Sequence, residues 1–133
     1  MSMEVSPNHE QVQISMTGES GGLDCIEVTC GENIFEASDG TKVHCHEGIL
    51  LSSLRLCDQV QPQVEKFAVR RDYNVLICGH SLGGAAAALL AFVLRTRLPS
   101  LSRRNAVHAL AYGPPPVIDA DGASSCSSYV TSV

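Results

Sequence analysis

The feature that most constrains this chain is a pentapeptide, Gly79-His80-Ser81-Leu82-Gly83, set between two segments of opposite character. Before it, Tyr73 to Cys78 is β-branched and aromatic, the pattern of a buried strand. After it, Ala85 to Leu94 is rich in alanine and leucine, the pattern of a buried helix. A G-x-S-x-G run at a strand-to-helix turn is the pattern of a nucleophile elbow. A serine there sits in a strained backbone conformation that thrusts its hydroxyl outward. Strand and helix then approach so closely that Gly79 and Gly83 have no room for a side chain, and Gly84 extends the small surface. The first turn of the helix aims unpaired N–H groups at the same point, so the Leu82 N–H is the candidate oxyanion donor. His80 reads as an elbow residue rather than a general base, because its ring would project away from the neighbouring hydroxyl. The bland alternative is a glycine-rich turn carrying an idle serine.

The same region carries a hydropathy signal. From Leu76 to Leu94 only His80 and Ser81 are clearly polar, and a window of that length could mark a membrane span. The glycines at 79, 83 and 84 and the change in composition along the run argue instead for a strand, a turn and a helix.

Elsewhere the pattern is mixed. A helix is predicted from near Glu47, with Leu50, Leu54 and Cys57 at i, i+4 and i+7 and the stripe continued by Val64 and Ala68. Pro62 lacks the N–H that would bond back to Asp58, so a kink or restart is expected there. Arg70-Arg71-Asp72 makes a polar break before the strand. The helix after the elbow should run from about Gly83 to Arg97, with Arg95 and Arg97 suiting its C-terminal dipole and Pro99 ending it. Ala106 to Tyr112 reads as a strand, Gly113-Pro114-Pro115-Pro116 as a break, Ala120 to Ser128 as a small-residue loop, and Tyr129 to Val133 as a strand. The polar first 22 residues read as a flexible leader, with short strands at Cys25–Cys30 and Asn33–Glu36 and a turn at Ser38-Asp39-Gly40. Strands alternating with helices predict an α/β fold, a mostly parallel sheet with crossover helices.

Composition narrows the function. With 133 residues the chain has room for one domain, and 44% apolar residues make it globular. Nine basic against 14 acidic side chains, a net charge of −5, leave no electrostatic footprint for nucleic acid. They also disfavour binding to anionic lipid by charge alone. The six cysteines, at 25, 30, 45, 57, 78 and 126, form no CxxC pair and read as free thiols of a reducing compartment. The first thirty residues carry no Lys or Arg and no apolar core of a secretory signal, so an intracellular location is expected, with neither signal peptide nor transmembrane helix in the chain. His44-Cys45-His46 lacks a second ligand cluster and is read as a strand or loop running into a helix, not a metal site. No nucleotide-binding loop is present, so no cofactor is expected.

From Val43 onward the chain resembles the class 3 lipases, especially their diacylglycerol lipase-like branch. The resemblance rests on four ordered segments: Val43-His44-Cys45-His46-Glu47-Gly48-Ile49-Leu50, Val75 through Ala85, Ala111-Tyr112-Gly113-Pro114-Pro115-Pro116-Val117, and Tyr129 to Val133. It implies an α/β-hydrolase fold, a Ser-Asp-His triad and hydrolysis of acylglycerol esters, often at a membrane surface. Ser81 carries over as nucleophile and Leu82 as oxyanion donor. The family's acid and histidine lie beyond the strand that Tyr129 to Val133 resembles, and its Arg-Gly-Thr-like oxyanion segment is not recognisable in residues 1–42. The expected organisation is therefore a divergent or flexible leader over 1–42 and a partial class 3 lipase domain over 43–133. After Ser81 the only histidine is His108 and the only aspartates are Asp119 and Asp121, in an order inverted from the fold's Ser, acid, His. Two functions follow: an acyl-ester hydrolase with little activity as this chain alone, or a non-catalytic lipase paralogue that binds lipid or protein.

Overall fold

The structure, a computed structural model, describes residues 1–16, 32–36, 40 and 42–133. Its centre is strand β5, Asn74–His80, whose alternating side chains send Val75 and Ile77 into the core and leave Leu76 and Cys78 half-buried on the other face. Strands β2 (Gln11–Met16) and β6 (Val107–Tyr112) flank it, both parallel. Strand β1 (Ser2–Ser6) runs antiparallel to β2, and β7 (Val130–Ser132) parallel to β6, giving the order β1-β2-β5-β6-β7.

One face of this sheet makes the core. Val12 and Ile14, Val75 and Ile77, and Val107 and Ala109 are all essentially inaccessible. Helix α2 (Leu82–Arg97) packs on β5 and β6, and α1 (Glu47–Val64) packs on α2. Leu50, Leu89, Leu90 and Leu94 fill the space between these layers. Each such side chain withdrawn from water stabilises the fold by about 1.5–3 kcal/mol, so this layer dominates its energetics. Leu50 and Cys57 lie on the buried stripe of α1 as their spacing predicts, with Leu54 at its margin. No helix among the described residues is long and apolar enough to cross a membrane.

The flexible leader is corrected over its first 16 residues. Its β2 strand lies beside β5, with Met16 opposite Gly79. The signal was present in the sequence as Val12, Ile14 and Met16 alternating with Gln11, Gln13 and Ser15. Overall polarity hid it because the polar set occupies the half-buried face. The expected strand at Asn33–Glu36 is β3 (Glu32–Glu36), paired antiparallel with β4 (Lys42–His46) in a separate two-stranded sheet. The expected strand at Cys25–Cys30 lies outside the described residues.

Three local expectations also change. Helix α1 passes through Pro62 and widens into a π-helical turn at Glu65–Val69. The Glu65 N–H is shared between the carbonyls of Gln61 and Pro62, so the disturbance of the ladder appears one turn late. Pro99 does not simply end α2; it opens a short helix α3 (Pro99–Arg103), because a first helical position needs no N–H. The stretch expected as a loop after Asp119 is helix α4 (Ala120–Cys126), started by the Asp119 carboxylate accepting the Gly122 N–H at 2.8 Å.

Candidate active site

Ser81 sits where β5 turns into α2, with φ 55° and ψ −119°, a backbone region that favours glycine. Three contacts hold it there. The Ser81 N–H donates to the Tyr112 carbonyl at the end of β6, at 2.8 Å. The Ser81 carbonyl accepts the Ala85 N–H at 3.1 Å, the first turn of α2. The flanking glycines close the elbow: a Cβ on Gly79 would collide with the Gly83 carbonyl, and one on Gly83 would stand 2.6 Å from the Met16 oxygen. Gly84 is nearly as tight, 3.1 Å from the Gly79 oxygen and 3.3 Å from the Tyr112 backbone.

The Ser81 side chain is exposed, and its hydroxyl has no hydrogen-bond partner among the described residues. Leu82 is the first residue of α2, so its N–H belongs to the turn that lacks intrahelical acceptors. His80 is exposed and sits opposite Tyr112 in the β5–β6 register. Ser81, Leu82, Gly79, His80, Gly83 and Gly84 thus come together at the C-terminal end of the central strand β5.

The other candidates lie elsewhere. His108 pairs opposite Leu76, four residues before the His80–Tyr112 pair and so about 13 Å down the strand, and its Nε2 lies 3.0 Å from the Asn105 carbonyl oxygen. Asp119 is engaged on both carboxylate oxygens: Oδ1 caps α4, and Oδ2 accepts the His44 backbone N–H at 3.3 Å. Asp121 is exposed in the first turn of α4. A Ser81–His108–Asp119 triad is therefore not assembled. His46 Nδ1 accepts the Ile49 N–H at 3.3 Å, capping α1. Among the described residues no group of three His, Cys, Asp or Glu could hold a metal ion. Cys45, Cys57, Cys78 and Cys126 are free thiols.

An elbow of this geometry occurs on many hydrolases, so sequence likeness has to choose among them. The profile of the family "Lipase (class 3)" matches residues 14–133. The chain belongs to the class 3 lipases. Human diacylglycerol lipase-alpha is 29% identical over 141 residues, an alignment covering 97% of this chain and 13% of that protein. A Rhizopus niveus lipase is 38% identical over 78 residues, covering 54% of this chain and 19% of that protein. The chain thus spans about an eighth of the first of these relatives and a fifth of the second. In structure it is similar to lipase II from Rhizopus niveus, with a TM-score of 0.72 and 25% identity over 95% of this chain and 47% of that one. A Rhizomucor miehei lipase in complex with its propeptide superposes at 0.68 over 98% of this chain and 43% of that one. The expected partial α/β-hydrolase fold is the fold observed.

Within this lipase domain, two contributors to the elbow escaped the sequence reading. Met16 supplies the carbonyl that excludes a side chain at Gly83, and the alternation of β2 could have indicated a strand but not its neighbour. The Tyr112 carbonyl anchors the Ser81 N–H. Nothing local marks it, because that contact depends on the register between β5 and β6.

Proposed function

We propose that this lipase domain carries the nucleophile of acyl-ester hydrolysis on acylglycerols, with lipid drawn from a membrane surface. The observation that carries the reading is the Ser81 backbone at φ 55°, its N–H donated to the Tyr112 carbonyl and its carbonyl accepting the Ala85 N–H, at the head of a 16-residue helix. In this mechanism Ser81 Oγ attacks the ester carbonyl. The tetrahedral oxyanion lies against the Leu82 N–H, in the positive end of the α2 dipole. Gly79, Gly83 and Gly84 let strand and helix close on that point, and His80 shapes its rim. No cofactor takes part. The free thiols favour an intracellular, reducing setting.

The proton is the weak link. Of the described histidines, His108 lies well down its strand and His46 is spent on a helix cap. Neither is placed as a base for Ser81, and loss of the base alone removes several orders of magnitude in rate. This favours the expectation that the chain hydrolyses esters slowly. It also supports a second reading, a domain that binds lipid without turning it over. A fluorophosphonate probe separates the two. Under the first reading the probe labels the chain, labelling is abolished by Ser81→Ala, and a short acyl ester is hydrolysed slowly and in a Ser81-dependent way. Absence of both labelling and turnover in a well-folded chain would favour the binding reading.

A further inference from the structure

Cations gather at the end of the sheet away from Ser81. The π-helical turn and the Arg70-Arg71-Asp72 break lead into β5, and Lys66, Arg70 and Arg71 on them are all exposed. Helix α3 packs on the same turn and brings the exposed Arg103 to this end. Arg104 fixes the backbone beneath them through the carbonyls of Ala68, Asp72 and Tyr73. Aromatic rings hold two of the cations in place. Lys66 Nζ lies 5.3 Å from the centre of the Phe67 ring, and the Arg71 guanidinium lies 5.6 Å from Phe67 and 5.3 Å from Tyr73. A guanidinium stacked on rings keeps its edge N–H groups free for a carboxylate and has little rotamer freedom left to lose. The acids at this end do not neutralise the group. Asp72 sits 3.8 Å from Arg104 Nε, Glu65 accepts the Gln61 amide N–H at 3.2 Å, and Glu10 lies beside Asn74. Lys66, Arg70, Arg71 and Arg103 make no ion pair among the described residues. Five of the chain's nine basic side chains thus stand together in a protein with 14 acidic ones.

We propose that this patch docks an acidic segment of a partner protein, with carboxylates seated on Arg70 and Arg71 and an apolar side chain against Val69. Charge selects the partner. The chain as a whole carries a net charge of −5, so an acidic segment is repelled elsewhere and steered to this end. Lys66, Val69 and Arg70, at i, i+3 and i+4, are exposed together, with Val69 37% accessible. That surface fits a segment whose acidic residues flank an apolar one. Position selects protein over bilayer. The patch precedes β5 and Ser81 follows it, so the seven residues of the strand, about 23 Å, separate them. A membrane against the patch would hold its lipid at least that far from Ser81. This choice alone rests on the reading of the chain as a lipid-ester domain. Docking leaves the elbow open whether or not Ser81 reacts.

The test uses fluorescence anisotropy with the 133-residue chain and a labelled peptide of glutamates around a central leucine. The peptide should bind, and its affinity should fall steadily as salt rises. The same peptide with glutamine in place of glutamate should bind at least about tenfold more weakly. Arg70→Glu and Arg55→Glu change the net charge equally, and both positions are exposed. Arg70→Glu should weaken the acidic peptide by about fivefold or more with the melting temperature unchanged, and Arg55→Glu, on α1 outside the patch, by less than about twofold. Arg71→Lys keeps the charge and should still weaken binding by about threefold, because an ammonium cannot make two parallel bonds to a carboxylate. The proposal is overturned by a glutamine peptide that binds as well, by equal losses at positions 55 and 70, or by vesicles of phosphatidylserine and phosphatidylcholine that retain the chain through Arg70 and Arg71 while the peptide does not bind. Fluorophosphonate labelling keeps the two readings apart. Labelled Ser81 with no peptide binding sinks the docking site alone. Peptide binding with an unreactive Ser81 sinks the hydrolase reading and leaves the docking site standing.

Discussion

Met16 and Gly83 meet backbone to backbone, with no room for a methyl group between the Met16 carbonyl and the Gly83 Cα. A residue from the polar start of the chain is thereby a wall of the elbow, and residues 11–16 and the Ser81 turn stand or fall together.

Gly83→Ala measures this contact. Alanine improves helix propensity by about 1 kcal/mol. The added Cβ would stand 2.6 Å from the Met16 oxygen, a backbone atom that cannot step aside cheaply. Overpacking at about 1–3 kcal/mol should win, and urea unfolding should show a net loss. A variant as stable as the parent would mean that β2 is free to move away from α2.

The strain at Ser81 has its own signature. A non-glycine residue at φ 55° and ψ −119° carries a cost of about 1–3 kcal/mol that glycine largely escapes. Ser81→Gly should therefore be more stable than Ser81→Ala by about 1 kcal/mol, even after glycine's larger unfolded-state entropy is counted. Both should lose fluorophosphonate labelling. Equal melting of the two variants would argue against a strained elbow.

Arg104 holds the far edge of the sheet. Its guanidinium donates to the carbonyls of Ala68, Asp72 and Tyr73 at 2.9, 3.0 and 2.8 Å, tying the end of the π-helical turn to the start of β5. Hydrogen bonds from a charged donor are worth about 1.5–3 kcal/mol each at most, and the group is partly exposed. Arg104→Ala should cost about 2 kcal/mol in chemical denaturation, and Arg104→Lys should recover little because a lysine cannot reach all three carbonyls in one plane.

Asp119 provides a test of role. If it caps α4 and pins β4, Asp119→Ala should lower stability by about 1 kcal/mol while Ser81 keeps its reactivity toward fluorophosphonate. Loss of labelling in a variant that melts like the parent would instead point to catalytic work for this carboxylate.

Alkaline pH should weaken the fold. Burial pushes the Cys45 thiol up from 9.0 to about 11, with the nearby Asp119 carboxylate adding to the shift. Burial also raises Cys57 and Cys126. The unfolded chain then loses these protons first. Their stabilising contribution is whole below about pH 9 and declines as pH climbs toward 11, by about 2–3 kcal/mol for Cys45. Urea midpoints at pH 8 and 10 should show the fall, and Cys45→Ala should flatten it. A midpoint unchanged across that range would contradict the burial of these thiols.

Much of the elbow was legible in the sequence because its causes are local. Glycines two residues either side of Ser81, a β-branched run before and an alanine-rich run after are enough to specify a strand, a sharp turn and a helix, and they single out Ser81, Leu82, Gly79, Gly83 and Gly84 as candidates. The helix at Ala120–Cys126 was missed because small polar residues favour no element strongly. The Asp119 cap starts it, and Gly122 lies where a Cβ would collide with the Val43 and Ile118 side chains, so the position is set by tertiary packing.

What the chain determined by itself was therefore the sharp turn at Ser81 and the alternation of strand and helix around it, since propensity and backbone sterics act within a few residues. Tertiary structure alone decided that β2 lies beside β5, that Tyr112 receives the Ser81 N–H, and that His108 lies too far down β6 to serve as a base. Those relations join residues about thirty to sixty-five positions apart. Their register is set by which apolar faces can be buried together, a condition on the whole sheet that no short segment carries.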